Sequence, residues 1–157
     1  MLRNRSRQPS TQGGRDTALR LLARREHAAA ELKDKLVRRG HDDVTAEVIV
    51  GELADAGWQS DARYAEMLVR SRIAQGYGPL RIRAELEAAR VADAEIREAL
   101  GSAEVDWVEV ASIAHARKFR APARTAAQWQ KQYRFLALRG FEPQQIRAVL
   151  RGTPDDI

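Results

Sequence analysis

The feature that most limits how this chain can fold is a period of about fifty residues. Leu36, Leu86 and Leu136 stand fifty apart; so do His41, Val91 and Phe141, then Ala46, Ile96 and Ile146, then Val50, Leu100 and Leu150. "IREAL" at Ile96 and "IRAVL" at Ile146 are nearly the same pentapeptide. "RRGH" at Arg38 and "LRGF" at Leu138 share an arginine–glycine stop, where the middle copy has Ala89-Arg90-Val91 and lacks the glycine. Several matches in one register mark an array of repeated units. Alanine, Leu, Arg and Glu dominate, which favours helix. Even the β-branched stretch "VTAEVIVGEL" places Ala46, Ile49, Val50 and Leu53 on one helical face. The expectation is an all-α fold of tandem three-helix units, about nine helices in all. They are placed at 16–26, 28–39 and 43–56, at 60–75, 79–90 and 93–101, and at 105–119, 124–139 and 143–151. The units then run over 16–59, 60–103 and 104–152, with a disordered basic N-terminal arm over 1–15 and a tail over 153–157.

Local punctuation agrees with the period. Ser60 is a good N-cap for "DARYAEML", with Asp61 in the first turn. Gly40 and Gly140 stand where a left-handed helix stop belongs, and Pro143 suits a first helical position. Asp93 is read as a cap for "AEIREAL". "GYGP" at Gly76 to Pro79 contains G-x-G, but no strand precedes it and no third glycine follows, so a nucleotide loop is not expected. Gly76 can end one helix left-handed, Gly78 can cap the next, and Pro79 can start it. Tyr77 is given a packing role.

Composition narrows the chemistry. The chain has 157 residues, 44% hydrophobic and 31% charged, enough for small cores under a solvated surface. It contains no cysteine, so disulfides, thiolate nucleophiles and cysteine zinc sites are excluded. His27, His41 and His115 lack metal-binding spacing, and His41 occupies a position held elsewhere by Val91 and Phe141, which makes it a structural imidazole. No G-x-S-x-G or similar constellation appears, and the carboxylates lie among Arg and Lys as on solvated helices. Neither an enzyme nor a cofactor is expected. No apolar run approaches the ~18 residues of a spanning helix. The N-terminus "MLRNRSRQPSTQGGR" lacks the apolar stretch of a secretory signal, so a cytoplasmic protein is expected.

The arginines carry more information. Net charge is +5, with seven arginines against one aspartate in residues 1–25, an acidic balance over 26–60 and a basic one over 101–157. Arg70, Arg72, Arg81 and Arg83 surround the "GYGP" turn. Arg81 and Arg83, two apart, cannot share a helical face. A second cluster is Arg117, Lys118, Arg120 and Arg124. A third is Lys131, Arg134 and Arg139, with Trp129, Tyr133 and Phe135 interleaved. The aromatics read best as a core stripe; the basic residues are open to both partner binding and simple solvation. The candidate contacts to an acidic protein surface or nucleic acid are Arg70, Arg72, Arg81, Arg83, Arg117, Lys118, Lys131 and Arg134.

These residues also carry a resemblance. "ALRLLARREHAAAELKDKLVRRGH", "GELADAGWQSDARYAEMLVRSRIAQGYGPLRIRAEL" and "RFLALRGFEPQQIRAVL" resemble the RecX family of bacterial RecA regulators, over nearly all of residues 16–151. The departures are "HAAAEL" where the family often has a Ser cap, which puts the start of the second helix at risk of fraying, and Trp58 and Ser60 where a small aliphatic residue and an Asp are common. The resemblance implies an elongated, curved array of three-helix units. It further implies a monomer that binds the RecA filament on single-stranded DNA, with no membrane partner. Such a protein suppresses ATPase, strand exchange and co-protease activity, and so acts on recombination, DNA repair and the SOS response. The alternative is a helical module acting on single- or double-stranded DNA directly. Against groove reading by the first two units, their third helices "DDVTAEVIVGELADAG" and "ADAEIREAL" are acidic or neutral.

Overall fold

The computed structural model describes residues 10–151. Among them the chain forms nine helices and no strand: α1 (Thr11–Arg24), α2 (Ala29–Arg38), α3 (Asp43–Asp55), α4 (Asp61–Ala74), α5 (Pro79–Ala88), α6 (Asp93–Ser102), α7 (Trp107–Lys118), α8 (Ala126–Leu138) and α9 (Pro143–Leu150). They gather in threes, because the period-fifty residues are the ones each unit buries. Leu36, Leu86 and Leu136 are fully buried, as are Ala46 and Ile146, with Ile96 nearly so. Around them lie Ala18, Leu32, Ile49 and Leu53 in the first unit, Ala65, Val69 and Ile82 in the second, and Ala111 and Phe141 in the third. Burying such a side chain contributes about 1.5–3 kcal/mol, yet a core of this size is marginal alone. The joints between units therefore matter to stability.

Two starts differ from expectation. α1 begins at Thr11, not within the ordered region expected from residue 16, so residues 11–15 are helical rather than part of an arm. Ser10 caps it, its hydroxyl accepting from the Gly13 N–H at 3.0 Å. Gly14 lies so close to the unit core that a Cβ there would meet the His41 ring at 2.6 Å and Ile49 at 2.8 Å. Gly14, inside the expected arm, is thus what lets α1 pack. The rest of the expected arm, residues 1–9, and the expected tail over 153–157 lie outside the described residues. The second difference is α6: its N-cap is Ala92, and Asp93 is the first helical residue. There Asp93 pairs with Arg83 at 3.1 Å and with Arg97 at 3.0 Å, which occupies the carboxylate that a cap would need.

Helices pack chiefly within their own unit, so narrow joints link one unit to the next. At the first joint Ala28 is buried in the core of the second unit. As N-cap of α2 it has no side-chain oxygen, but the helix does not fray. Asp61, at the start of α4, accepts the Ala29 N–H at 2.8 Å, and also Gln59 Nε2 at 2.9 Å. Gln59 donates in turn to the His27 carbonyl at 3.1 Å. Arg63 meets Glu26 at 2.9 Å, and Arg90 meets Asp34 at 2.9 Å. Arg90 sits at the glycine position of the other copies with φ 60, matching the left-handed Gly40 (φ 98) and Gly140 (φ 94). Its ion pair to the first unit accompanies this unusual conformation for a side-chain-bearing residue.

The second joint is backbone on backbone. Gly76 ends α4 left-handed with φ 82, Gly78 is the N-cap of α5, and Pro79 starts it. The Gly78 N–H donates to the Arg139 carbonyl at 2.8 Å, and the Leu80 N–H to the Gly140 carbonyl at 2.9 Å. The positive N-terminal end of α5 thus meets the negative C-terminal end of α8. A Cβ on Gly78 would lie 2.4 Å from the Gly140 oxygen, and one on Gly140 would lie 2.5 Å from Arg81 Cβ. "GYGP" is a turn in the middle unit and, at the same time, the socket for the third.

His27 bears on the first joint. It is almost fully buried, with Nδ1 3.0 Å from the Arg25 carbonyl and Nε2 3.0 Å from Lys35 Nζ. A lysine ammonium only donates, so Nε2 accepts, Nδ1–H donates and the ring is neutral. Burial pushes its pKa below the ordinary value.

Two predictions follow from the joints. Gly140→Ala is expected to destabilise the protein by about 2–4 kcal/mol in chemical denaturation, since it adds both a left-handed strain and a backbone clash. An unchanged midpoint would show that the second joint is loose. Because the unfolded chain protonates His27 more readily than the folded one, stability is full above about pH 6.5 and falls as pH drops below it. His27→Gln should flatten that slope in melts run across pH.

Candidate partner-binding surface

Tyr77 stands at the second joint, and two guanidinium groups lie over its ring. Arg81, one turn into α5, is 4.1 Å from the ring centroid, and Arg139, at the end of α8, is 4.6 Å. Arg139 is also 5.3 Å from the Phe135 centroid, and Lys118, in the last turn of α7, is 5.9 Å from that ring. The result is a ladder of alternating cations and aromatics that crosses from the second unit to the third. Cations over ring faces gain about 0.5–1 kcal/mol at exposed sites, which orders side chains that would otherwise sample many rotamers. Arg139 Nη1 also donates to the Gln75 carbonyl at 3.4 Å. A cavity of about 210 Å³ between the units is lined by Gln75, Gly76, Arg117, Lys118, Phe135 and Arg139. Among the described residues, Arg81, Arg117, Lys118 and Arg139 have no carboxylate within ion-pair distance.

The floor of the ladder is set by the loop after α7. Phe119 packs edge-on against Phe135 at 5.4 Å and beside His115 at 5.3 Å. His115 Nε2 bonds Gln132 Oε1 at 2.7 Å, and the Gln132 amide donates to the Ala121 carbonyl at 3.2 Å. His115 is therefore structural. Trp129 is buried and stacks with Tyr133 at 5.2 Å, so these two aromatics serve the third unit rather than a ligand.

The eight basic residues singled out from the sequence divide into classes. Arg81 and Lys118 stand on the ladder, and Arg117 lines the cavity beside Lys118 and Arg139. Arg72 is half-buried and bound to Glu85 at 2.8 Å, and Arg83 is held by Asp93 at 3.1 Å with Glu87 at 3.9 Å. Those two hold α5 to its neighbours. Arg70 is exposed on the rim of a separate cleft of about 560 Å³, floored by Val69, Ile73, Ala99 and Val105. Lys131 and Arg134 are exposed on α8, away from the ladder's cavity. Sequence reasoning placed Arg139 in a basic cluster but not among the candidate contacts, and gave Tyr77 packing alone. The signal was present in the period: Arg139 follows Leu138 where the middle copy has Ala89, next to the glycine that receives α5. No helix among the described residues is long and apolar enough to cross a membrane. No group of three or more His, Cys, Asp or Glu among them is placed to hold a metal.

Comparison with known proteins adds three matches along the chain. Residues 15–53 match the model of the RecX first three-helix domain, residues 60–100 the second, and residues 104–150 the third. The chain is 47% identical over 138 residues to the regulatory protein RecX of Chromohalobacter salexigens, covering 87% of this chain and 90% of that protein. It is 45% identical over 144 residues to the regulatory protein RecX of Halorhodospira halophila, covering 90% and 89%. Its fold is similar to the crystal structure of RecX from Lactobacillus salivarius, with a TM-score of 0.74 and 25% identity over 94% of this chain and 97% of that one.

The two classes of arginine should separate in a stability measurement. Arg72→Ala is expected to cost about 1 kcal/mol, because it leaves a half-buried Glu85 without its partner. Arg70→Ala should stay within about 0.5 kcal/mol of the parent. Equal losses in thermal melts would contradict this division.

Proposed function

Because the chain belongs to the RecX family, we propose that it binds the RecA filament formed on single-stranded DNA and restrains its ATPase, strand exchange and co-protease activities. Through that binding it modulates recombination, DNA repair and the SOS response in the cytoplasm. The observation that carries this reading is the ladder of Arg81, Arg139 and Lys118 with Arg117 in the adjoining cavity, four cations without carboxylate partners among the described residues, gathered at a joint between two units. Fixed cations of this kind suit an acidic surface, and they steer association in a salt-dependent way. Because the ladder spans two units, a partner that engages it touches both at once. Lys131 and Arg134 extend the positive field along α8, and Arg70 extends it along α4. The action is steric and needs no catalytic group: a bound array occupies surface that the filament uses for turnover and strand contact.

A second reading, direct action on DNA, draws on the same cations. Tyr77 and Phe135 are half-buried with cations over their rings. They are poor platforms for stacking bases, which is how such modules hold single strands. That geometry favours phosphate or carboxylate contact over base recognition. The deciding measurement is RecA ATPase on single-stranded DNA, titrated with the chain at low salt. Arg81→Glu and Arg139→Glu should each raise the amount needed for half-inhibition several-fold while leaving the far-ultraviolet helical signal intact. No inhibition by the parent protein over a several-fold molar excess would sink the proposal. Tight, sequence-dependent duplex binding without RecA in a mobility-shift assay would favour the second reading instead.

A further inference from the structure

The outer face of α3 is unlike that of its two counterparts. Val44 is 72% exposed and Val48 51% exposed on the side away from the core. Gly51 and Asp55 continue the stripe at the 4-3-4 spacing that keeps residues on one helical face. Nothing lies within 4 Å of where a Gly51 side chain would begin. Exposed Asp43, Glu47 and Glu52 border the stripe; Glu47 and Glu52 reach Lys33 and Arg15 only at 3.8 and 3.7 Å. The internal repeat supplies a control. Position 44 becomes Ala94 and Gln144, position 48 becomes Glu98 and Ala148, and position 47 becomes Arg97 and Arg147. Valine and glycine also weaken a helix relative to alanine, so helix formation does not account for them.

A complementary face lies at the other end of the molecule. On α8, Ala127, Lys131, Arg134 and Leu138 are exposed at the same 4-3-4 spacing, with Leu138 75% exposed. Neither Lys131 nor Arg134 has a carboxylate within ion-pair distance among the described residues.

We propose that these faces meet between neighbouring copies of this chain, α3 of one copy lying antiparallel on α8 of the next. Antiparallel register sets Val44 against Leu138 and Val48 against the stem of Arg134. It lays the stem of Lys131 over the open Gly51. The bordering Glu47 and Glu52, with Asp55 at the end of the stripe, then face the two cations. Pairing α3 with α3 opposes carboxylates, and pairing α8 with α8 opposes cations, so like charge disfavours a closed two-fold dimer. A contact between two different patches repeats as an open row. One helix face buries far less than the roughly 1,200–2,000 Å² of a stable complex. The contact is therefore weak between free monomers and gains strength when two copies are held side by side. A filament surface would hold them so, and only that last step rests on the function proposed above.

The chain has no cysteine, so single introduced thiols report the contact without background. Val44→Cys and Leu138→Cys protein, mixed at low salt under mild oxidation, should form the mixed disulfide several-fold faster than either self-disulfide. It should also outpace Val44→Cys mixed with Ala127→Cys, which tests the parallel register. Added salt should slow it. Glu47→Arg in the first partner should slow it too, and Arg134→Glu in the second should restore it. Equal rates for all pairs, no disulfide, indifference to salt, or a dominant Val44→Cys self-disulfide would each overturn the proposal. RecA is absent from the assay, so the outcome is independent of filament binding.

Discussion

The structure depends on one exchange: a middle helix leaves its first amides to be satisfied by the unit that follows. Helix N-termini expose N–H groups that must find acceptors. α2 starts at Ala28 and α5 at Gly78, and neither residue has a capping side chain. Asp61 of the second unit and the Arg139 and Gly140 carbonyls of the third supply the acceptors. α8 alone of the three caps itself, through Thr125 to the Gln128 N–H at 3.1 Å. A missing local cap thus marks the place where the next unit docks. Three cores, each marginal in size, become one molecule by completing one another's helix ends.

The partner-binding ladder is a by-product of that docking. Tyr77 is fixed because Gly76 and Gly78 on either side are committed to the joint. Arg81 and Arg139 are fixed because their backbones form it. Charge alone would not have separated Arg81 from Arg83. Carboxylate partners do: Arg83 closes against Asp93, while Arg81 has an aromatic ring and open solvent. The same distinction divides Arg72 from Arg70. A guanidinium already paired with a carboxylate must break that pair to bind a partner, whereas one held by a ring keeps its charge available.

Much of this was legible in the sequence, and the failures have physical causes. The period of Leu36, Leu86 and Leu136 named the core, and Ser60, Pro79, Pro143 and Gly40 act locally, so their roles were readable from neighbours alone, as was the left-handed stop at Gly140 but not its place in the joint. The start of α1 was missed because Gly13 and Gly14 weaken a helix intrinsically; close packing on His41 and Ile49 overrides that. Fraying of α2 was expected because its cap comes from Asp61, thirty-two positions away along the chain. Arg90 stands left-handed without being glycine, and its side chain reaches Asp34 of another unit. The Tyr77–Arg139 pair was hidden for the same reason. Each miss is a contact between helices, and all but the start of α1 lie between units, invisible to any rule that reads one helix at a time.

The repeat also shows why one copy does not continue another through the same joint. Joints place the first half of one middle helix against the end of the next: Ala30 and Asp34 against Arg90, Leu80 and Arg81 against Gly140. By the fifty-residue period, the equivalents of these joint positions are Arg38-Arg39-Gly40 on the first unit and Gln130, Lys131 and Arg134 on the third. Continuing the same joint from one molecule into another would set two arginines against a lysine and an arginine. Like charge disfavours that continuation. A row of copies therefore needs a surface other than Arg38 and Arg39 to meet Lys131 and Arg134. The acidic, apolar face of α3 is such a surface, and its counterparts α6 and α9 lack that combination.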